Sequence, residues 1–223
     1  MSLLLLHTRF TATSSSIQMT TSSSSSSNEN GYLEIVLGPM FSGKTSKLIE
    51  VYNQYTFCGI NVVAINHCAD TRYDQKMLSN HNKHMIPCIQ TCTIDSIWNY
   101  CDLESAYTDV ASQHMELRMA DVILINEAQF FEDLVPCVTE MLKDKKKIYL
   151  YGLDGDFQRK KFGTILDLIP ICDKVTKLNS LCYYCKNGEP GIFSIRLTQE
   201  KEQVVIGSDN YVPVCRKCYD IKS

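Results

Sequence analysis

Gly38-Pro-Met-Phe-Ser-Gly-Lys-Thr45 matches G-x-x-x-x-G-K-[ST], the pattern of a phosphate-binding loop. Its flanks suit it. Tyr32-Leu-Glu-Ile-Val-Leu37 reads as a buried strand, and from Ser46 to Phe57 the residues Leu48, Ile49, Val51, Tyr52 and Tyr55 recur at helical spacing. Gly38 and Gly43 let the backbone curl so that N–H groups converge on phosphate oxygens, and the helix adds its positive end. Lys44 then reaches the β- and γ-phosphates, and the Thr45 hydroxyl binds Mg²⁺. The pattern calls for a nucleoside triphosphate and leaves the reaction open.

Outward from the loop the chain reads as α/β. Ile60 to Ile65 is a second strand, followed by Asp70-Thr-Arg-Tyr73 where a strand end opens into a loop, the edge at which open sheets gather ligands. There Arg72 can meet a phosphate and Asp70 metal-bound water, or the pair is a capping Asp beside a surface Arg. Residues 74 to 120 carry little pattern beyond helical character near Ile97 and Trp98, and His81 and His84 look like plain loop residues. Asp121 to Ile125 is a buried strand ending in Asn126-Glu-Ala-Gln-Phe-Phe131. An Asp that holds Mg²⁺ through water is usual at such a strand end, and here the residue is Asn126. Glu127 beside it is placed to accept a proton from an attacking hydroxyl, or else caps the helix expected over Glu132 to Leu142. Lys147 to Tyr151 is the next strand. Phe157 and Phe162 in the loop beyond it suit stacking on a flat base or plain core packing. Thr164 to Ile169 reads as a short helix stopped by Pro170, and Lys174 to Leu178 as a last core strand.

Composition bounds the function. The 223 residues carry a net charge of −3, which lacks the basic footprint of a nucleic-acid binder, and no apolar run is long enough to span a membrane. Residues 1–30 are rich in Ser and Thr, with Ser22–Ser27 unbroken and no acid before Glu29, and read as a disordered tail or, with only Arg9 as arginine, a poor organelle-targeting leader. The eleven cysteines are an odd number without a secretory signal, so a disulfide framework is not expected, and a reducing, cytoplasmic setting is. Cys58, Cys68, Cys88, Cys92, Cys101, Cys137 and Cys172 are scattered and read as small buried apolar residues. Cys182-x₂-Cys185 and Cys215-x₂-Cys218 instead form two knuckles, a donor set for structural Zn²⁺, with a redox role for one pair as the alternative. Between them, Ile192 to Leu197 and Gln203 to Ile206 read as the strands of a hairpin.

Taken together, GPMFSGKT, DTRY, NEAQFF, LDGDFQRKKFG, CYYC, VIGSDNY and CRKCY resemble the thymidine kinases of the tetrameric, zinc-containing type, over about residues 32 to 220. The resemblance implies a phosphate-loop NTPase parallel sheet over 31–181 and a small C-terminal zinc-bound lasso domain over 182–220. It implies γ-phosphate transfer from ATP to the thymidine 5′-hydroxyl with Glu127 as general base. The ATP site implied is Gly38, Pro39, Met40, Phe41, Ser42, Gly43, Lys44, Thr45, Asp70, Thr71, Arg72, Asn126, Glu127, Ala128 and Gln129. The thymidine site implied is Met40, Phe130, Phe157, Phe162 and Ser194, the lasso residues Gln203, Val204, Val205, Ile206 and Gly207, and Tyr211. Zinc falls to Cys182, Cys185, Cys215 and Cys218, and Mg²⁺ to Thr45. A homotetramer and feedback inhibition by dTTP are further implications. Three departures stand out, one of them the longer than usual segment between DTRY and the NEAQ strand together with the longer loop after Cys185. Asn126 replaces the family's usual Asp, and Asp156 replaces a small hydroxyl residue, either restoring some of the missing charge or facing solvent. A weakened nucleotide-binding relative acting through partners, and a zinc-dependent nucleic-acid-binding ATPase, are the competing readings.

Overall fold

A computed structural model describes residues 30–70, 76–101, 108–200, 202–205 and 210–222. The expected tail over 1–30 therefore lies almost wholly outside the described residues, as do Thr71, Arg72, Ile206 and Gly207.

In chain order, β1 (Tyr32–Leu37) leads through the phosphate loop into α1 (Lys44–Phe57), then β2 (Val62–His67). A small hairpin of β3 (Met77–Ser79) and β4 (Met85–Pro87) precedes β5 (Ile89–Thr91), α2 (Asp95–Trp98) and α3 (Asp109–Met119). Next come β6 (Val122–Ile125), α4 (Leu134–Lys143), β7 (Lys147–Gly152) and β8 (Lys174–Lys177). The C-terminal part holds β9 (Ser180–Leu181), β10 (Pro190–Gly191), β11 (Phe193–Arg196), β12 (Tyr211–Val214) and α5 (Arg216–Lys222).

The main sheet has the order β5-β2-β6-β7-β1-β8, and each of its pairings is parallel. Strands buried on both faces need apolar residues in both alternating sets. Accordingly Ile123, Ile125, Ile148 and Leu150 face one layer, with α2, α3 and α4, while Val122, Leu124 and Tyr151 face α1 and the β3–β4 hairpin. In α4 the buried residues Leu134, Cys137, Val138 and Met141 follow the three-and-four spacing of one helix face. Because the strands are parallel, the segments after β1, β2, β6 and β7 emerge at one edge, which places the phosphate loop, Asp70, Asn126 and the 153–162 loop side by side.

Several expectations change. β8 is the outer strand of the sheet, with Lys174, Val175 and Lys177 exposed, so it is not a core strand. The turn at Ile165–Ile171 is a 3₁₀ helix that runs through Pro170, whose fixed φ suits that geometry. The partner of β11 is β12, in the register Phe193↔Val214 to Arg196↔Tyr211, and Gln203 to Val205 form no strand but belong to the long excursion between the two. α3 escaped the sequence reading because Leu117 is its one buried residue, so no apolar stripe marks it; Thr108 caps its start by accepting from the Ala111 N–H.

The scattered cysteines also differ from expectation. Cys137 is buried, but Cys58 and Cys101 are exposed, Cys88 and Cys172 half-buried, and Cys68 and Cys92 are joined in a disulfide. That pairing follows from register: His67 lies opposite Thr91 in the β2–β5 pair, and the next residue on each strand is the cysteine.

Candidate functional site

The phosphate loop closes on itself. Gly43 takes a left-handed conformation (φ 85°) at the start of α1, as a loop turning into a helix requires. The Lys44 ammonium donates to the carbonyls of Gly38 (3.0 Å) and Pro39 (2.9 Å), which pins its side chain along the inside of the loop. Phe41, also left-handed (φ 61°), points outward and stacks on His81 at 5.2 Å. His81 lies in a polar turn, as expected, and also forms part of the cleft wall. Its hairpin is anchored by Asn80, which donates to Ser46 Oγ and accepts from the Asn82 and His84 N–H groups.

Across the sheet edge, Asn126 is almost fully buried and donates to Asn66 Oδ1 (2.9 Å), and Asn66 donates in turn to Asp70 Oδ2 (3.4 Å). A neutral amide pair therefore stands where one more carboxylate was expected, and it points the Asp70 carboxylate. The oxygen donors of Thr45, Asp70 and Asn126 suit a hard cation such as Mg²⁺, with one charge fewer than two carboxylates would give.

Glu127 sits in the left-handed region (φ 50°), a strained conformation for a side-chain-bearing residue and one that collects at functional sites. Gln129 holds it there: the amide nitrogen donates to Glu127 Oε2 (2.8 Å), and the amide oxygen accepts from the Leu153 N–H (3.0 Å). The Gln129 segment packs so tightly that a Cβ on Gly163 would lie 2.0 Å from the Gln129 carbonyl oxygen, and Gly163 has φ +62° besides. Only glycine fits there.

The aromatic side of the cleft is built from Phe130 and Phe162, edge to face at 5.4 Å, with His67 against Phe130 at 5.4 Å. Burial lowers the pKa of His67, which favours the neutral ring. Phe157 lies under the Arg196 guanidinium at 3.8 Å. Ser194 accepts a hydrogen bond from the Met40 N–H (3.0 Å), joining the phosphate loop to β11. Gln203, Val204, Val205 and Tyr211 complete this side of the same cleft that Glu127 and Lys44 line. Asp156 does not face solvent. It is buried, with Oδ1 accepting from the Gln158 and Lys160 N–H groups and Oδ2 from the Gln203 amide.

In the C-terminal part, the sulfurs of Cys182, Cys185, Cys215 and Cys218 all lie within 4.8 Å of one another. A tetrahedron of ~2.3 Å zinc–sulfur bonds spaces its sulfurs by ~3.8 Å. Cys185 lies 3.8 Å from Cys215 and 3.5 Å from Cys218, so the four thiols fit a closed structural Zn²⁺ site. The module docks on the 153–162 loop: the Tyr219 hydroxyl donates to the Phe157 carbonyl (2.7 Å), and Arg159 packs over the Tyr219 ring and pairs with Asp220.

Sequence reasoning missed Asn66, His81 and Arg196. Asn66 and Arg196 are polar residues inside strands, a pattern that flags a buried polar role without saying which.

A phosphate loop on a parallel sheet, facing a carboxylate and an aromatic pocket across one cleft, suits a nucleoside triphosphate beside a second, flat ligand. The family model for thymidine kinase matches residues 31–219. The thymidine kinase of sheeppox virus (strain KS-1) is 35% identical over 193 residues, 85% of this chain and 97% of the relative. That of myxoma virus (strain Uriarra) is 37% identical over 190 residues (85% and 96%), and that of Oryza sativa subsp. japonica 36% over 192 (85% and 66%). The chain belongs to the thymidine kinase family and is a nucleoside kinase. Among the described residues no helix is long and apolar enough to cross a membrane.

Proposed function

We propose that the chain transfers the γ-phosphoryl group of ATP to the 5′-hydroxyl of thymidine, giving dTMP and ADP. The observation that carries this reading is Glu127, held by Gln129 in a strained conformation in the cleft that also contains the phosphate loop and the aromatic pocket.

In this reading the backbone from Gly38 to Thr45 cradles the phosphates, and Lys44 leaves its loop carbonyls to neutralise charge on the transferred group. Thr45, Asp70 and Asn126 would hold Mg²⁺, which would supply charge neutralisation for the phosphates when bound. Ala128 and Gln129 support the loop that carries Glu127, while Thr71 and Arg72 lie outside the described residues. Glu127 orients the 5′-hydroxyl and takes its proton, a contribution of typically ~10²–10⁴-fold. Phe130 and Phe162 hold the base, with Met40 and Phe157 beside it. The lasso backbone at Gln203–Val205 meets the base edge, so a base with the wrong edge leaves buried groups unpaired. The four cysteines hold zinc and fix the lasso. The 31–181 and 182–220 segments thus divide the work between phosphate donor and nucleoside. A homotetramer, dTTP as feedback inhibitor and a cytoplasmic setting belong to the same reading through the family.

Transfer of labelled phosphate from ATP to thymidine, with Mg²⁺ titrated, tests the proposal. Transfer that requires Mg²⁺ is expected. A folded, zinc-loaded protein that transfers none at any Mg²⁺ concentration would overturn it.

A further inference from the structure

Arg196 ends β11 and is buried, and each of its five N–H donors has a partner. Nε donates to the Tyr211 hydroxyl (3.1 Å). Nη1 donates to the carbonyls of Glu200 (2.7 Å) and Glu202 (2.6 Å). Nη2 donates to the Gln203 carbonyl (3.1 Å) and again to Tyr211 (2.6 Å). One face of the guanidinium lies on the Phe157 ring at 3.8 Å. A single side chain thus gathers the carbonyls of Glu200, Glu202 and Gln203, ties them to Tyr211 at the start of β12, and packs on Phe157 of the 153–162 loop. Only a planar fork of five donors does this; an ammonium has three donors and no flat face.

Gln203 is held from its other end too. Its side-chain amide donates to Asp156 Oδ2 (2.8 Å), whose other oxygen is fixed by two backbone amides of the 153–162 loop. The Tyr211 hydroxyl, accepting from Arg196, donates onward to the Val205 carbonyl (3.3 Å). The backbone at 203–205 is therefore set, through Arg196 and Asp156, at a defined place over the aromatic pocket.

We propose that Arg196 is a positioning residue for the nucleoside: with Asp156 as its counterpart on the core, it folds the lasso into the shape that meets the base edge before the nucleoside arrives. This rests on the thymidine reading of the pocket. The nucleoside then binds a preformed edge and does not have to order the loop, so loosening the latch weakens nucleoside binding while leaving the phosphate side alone.

The test is Arg196→Lys in the full zinc-loaded chain, with two readouts. The first is steady-state kinetics. The KM for thymidine is expected to rise about 10- to 100-fold, the loss of several charge-assisted hydrogen bonds, while the KM for ATP and the zinc content stay as in the parent. The second is amide hydrogen exchange between 197 and 205, expected to speed up with no change in the main sheet. Asp156→Asn, which keeps the shape of the side chain, is expected to give a smaller change in the same two readouts, and it decides the matter if Arg196→Lys does not fold. Unchanged exchange at 197–205 in both variants would overturn the latch itself. Faster exchange with an unchanged thymidine KM, or an equal rise in the ATP KM, would overturn its role in nucleoside binding. Failure of the thymidine reading looks different, because the parent protein itself would then transfer nothing to thymidine.

Discussion

On the side of the cleft that carries the phosphate loop, the lining groups are neighbours in the chain or sit near the ends of the sheet strands. Gly38 to Thr45 is one continuous loop, and Asp70, Asn126 and Glu127 follow β2 and β6 directly. On the opposite side, which the proposed function gives to the nucleoside, the groups come from far apart and are joined by side chains: Ser194 to Met40, Gln203 to Asp156, Tyr219 to Phe157, Arg196 to Phe157. The first side is held by the hydrogen bonds of the sheet and helix. The second is held by a few polar latches and by four thiols in reach of one metal. A side built from backbone resists single substitutions except at the group that does the chemistry. A side built from latches can be opened one latch at a time.

The difference can be broken at its strongest point first. Glu127→Gln keeps the hydrogen bond to Gln129 within reach but removes the proton acceptor, and transfer is expected to fall by ~10²–10⁴-fold with thymidine binding little changed. An equal loss of binding would mean that Glu127 shapes the pocket instead. Cys215→Ser attacks the other side. Zinc is released, and thymidine affinity is expected to fall about tenfold or more while the urea transition of the main sheet survives, because the metal organises the module and not the core. Simultaneous loss of core and module would erase the distinction between the two sides.

Asn126→Asp sharpens the phosphate side. The new carboxylate would face Asn66 Oδ1, so the Asn66 amide must turn over and its hydrogen bond to Asp70 is lost. A loss of about 1–3 kcal/mol in urea unfolding without Mg²⁺ is expected, recovered in part when Mg²⁺ and ATP are added. Asp156→Ala separates the two sides directly. With its carboxylate committed to Gln203, the half-saturating Mg²⁺ concentration is expected to stay unchanged while the thymidine KM rises. A shifted Mg²⁺ requirement would restore the idea that Asp156 makes up for the charge missing at Asn126.

The smallest effect is one of pH. Burial lowers the His67 pKa below its ordinary value of 6.5, so the unfolded chain takes up the proton first as pH falls. The stability that the neutral ring contributes is fully present above the unfolded value and is lost as pH falls from there through the folded one. His67→Gln is expected to flatten that part of the profile, read as urea midpoints between about pH 7.5 and pH 5.5. An unaltered slope would show that other groups govern it.

Most of the phosphate side was legible beforehand. The loop pattern, the alternation in Tyr32–Leu37 and the apolar run at Val122–Ile125 are local signals, and the parallel sheet follows from strands alternating with helices. The knuckle spacing Cys-x₂-Cys is local too, and so was the donor set for zinc. The expected hairpin from Ile192 to Ile206 was a reasonable local pairing, but Phe193–Arg196 pairs with Tyr211–Val214 instead. The nearer segment is held otherwise: Arg196 takes the carbonyl of Gln203, a group that a strand would have spent on its ladder, and those of Glu200 and Glu202 just before it.

The sequence by itself determined the class of fold, the phosphate loop and the position of Glu127, because strand periodicity and loop patterns are written in consecutive residues. Only the tertiary structure decided that Cys68 meets Cys92, that Asn126 leans on Asn66, that Asp156 takes Gln203 and that Arg196 takes the carbonyls of Glu200, Glu202 and Gln203. Each of these is a contact between side chains whose neighbours are set by strand register and packing. A buried polar group must find a partner, and the sequence states that need without stating where the partner comes from.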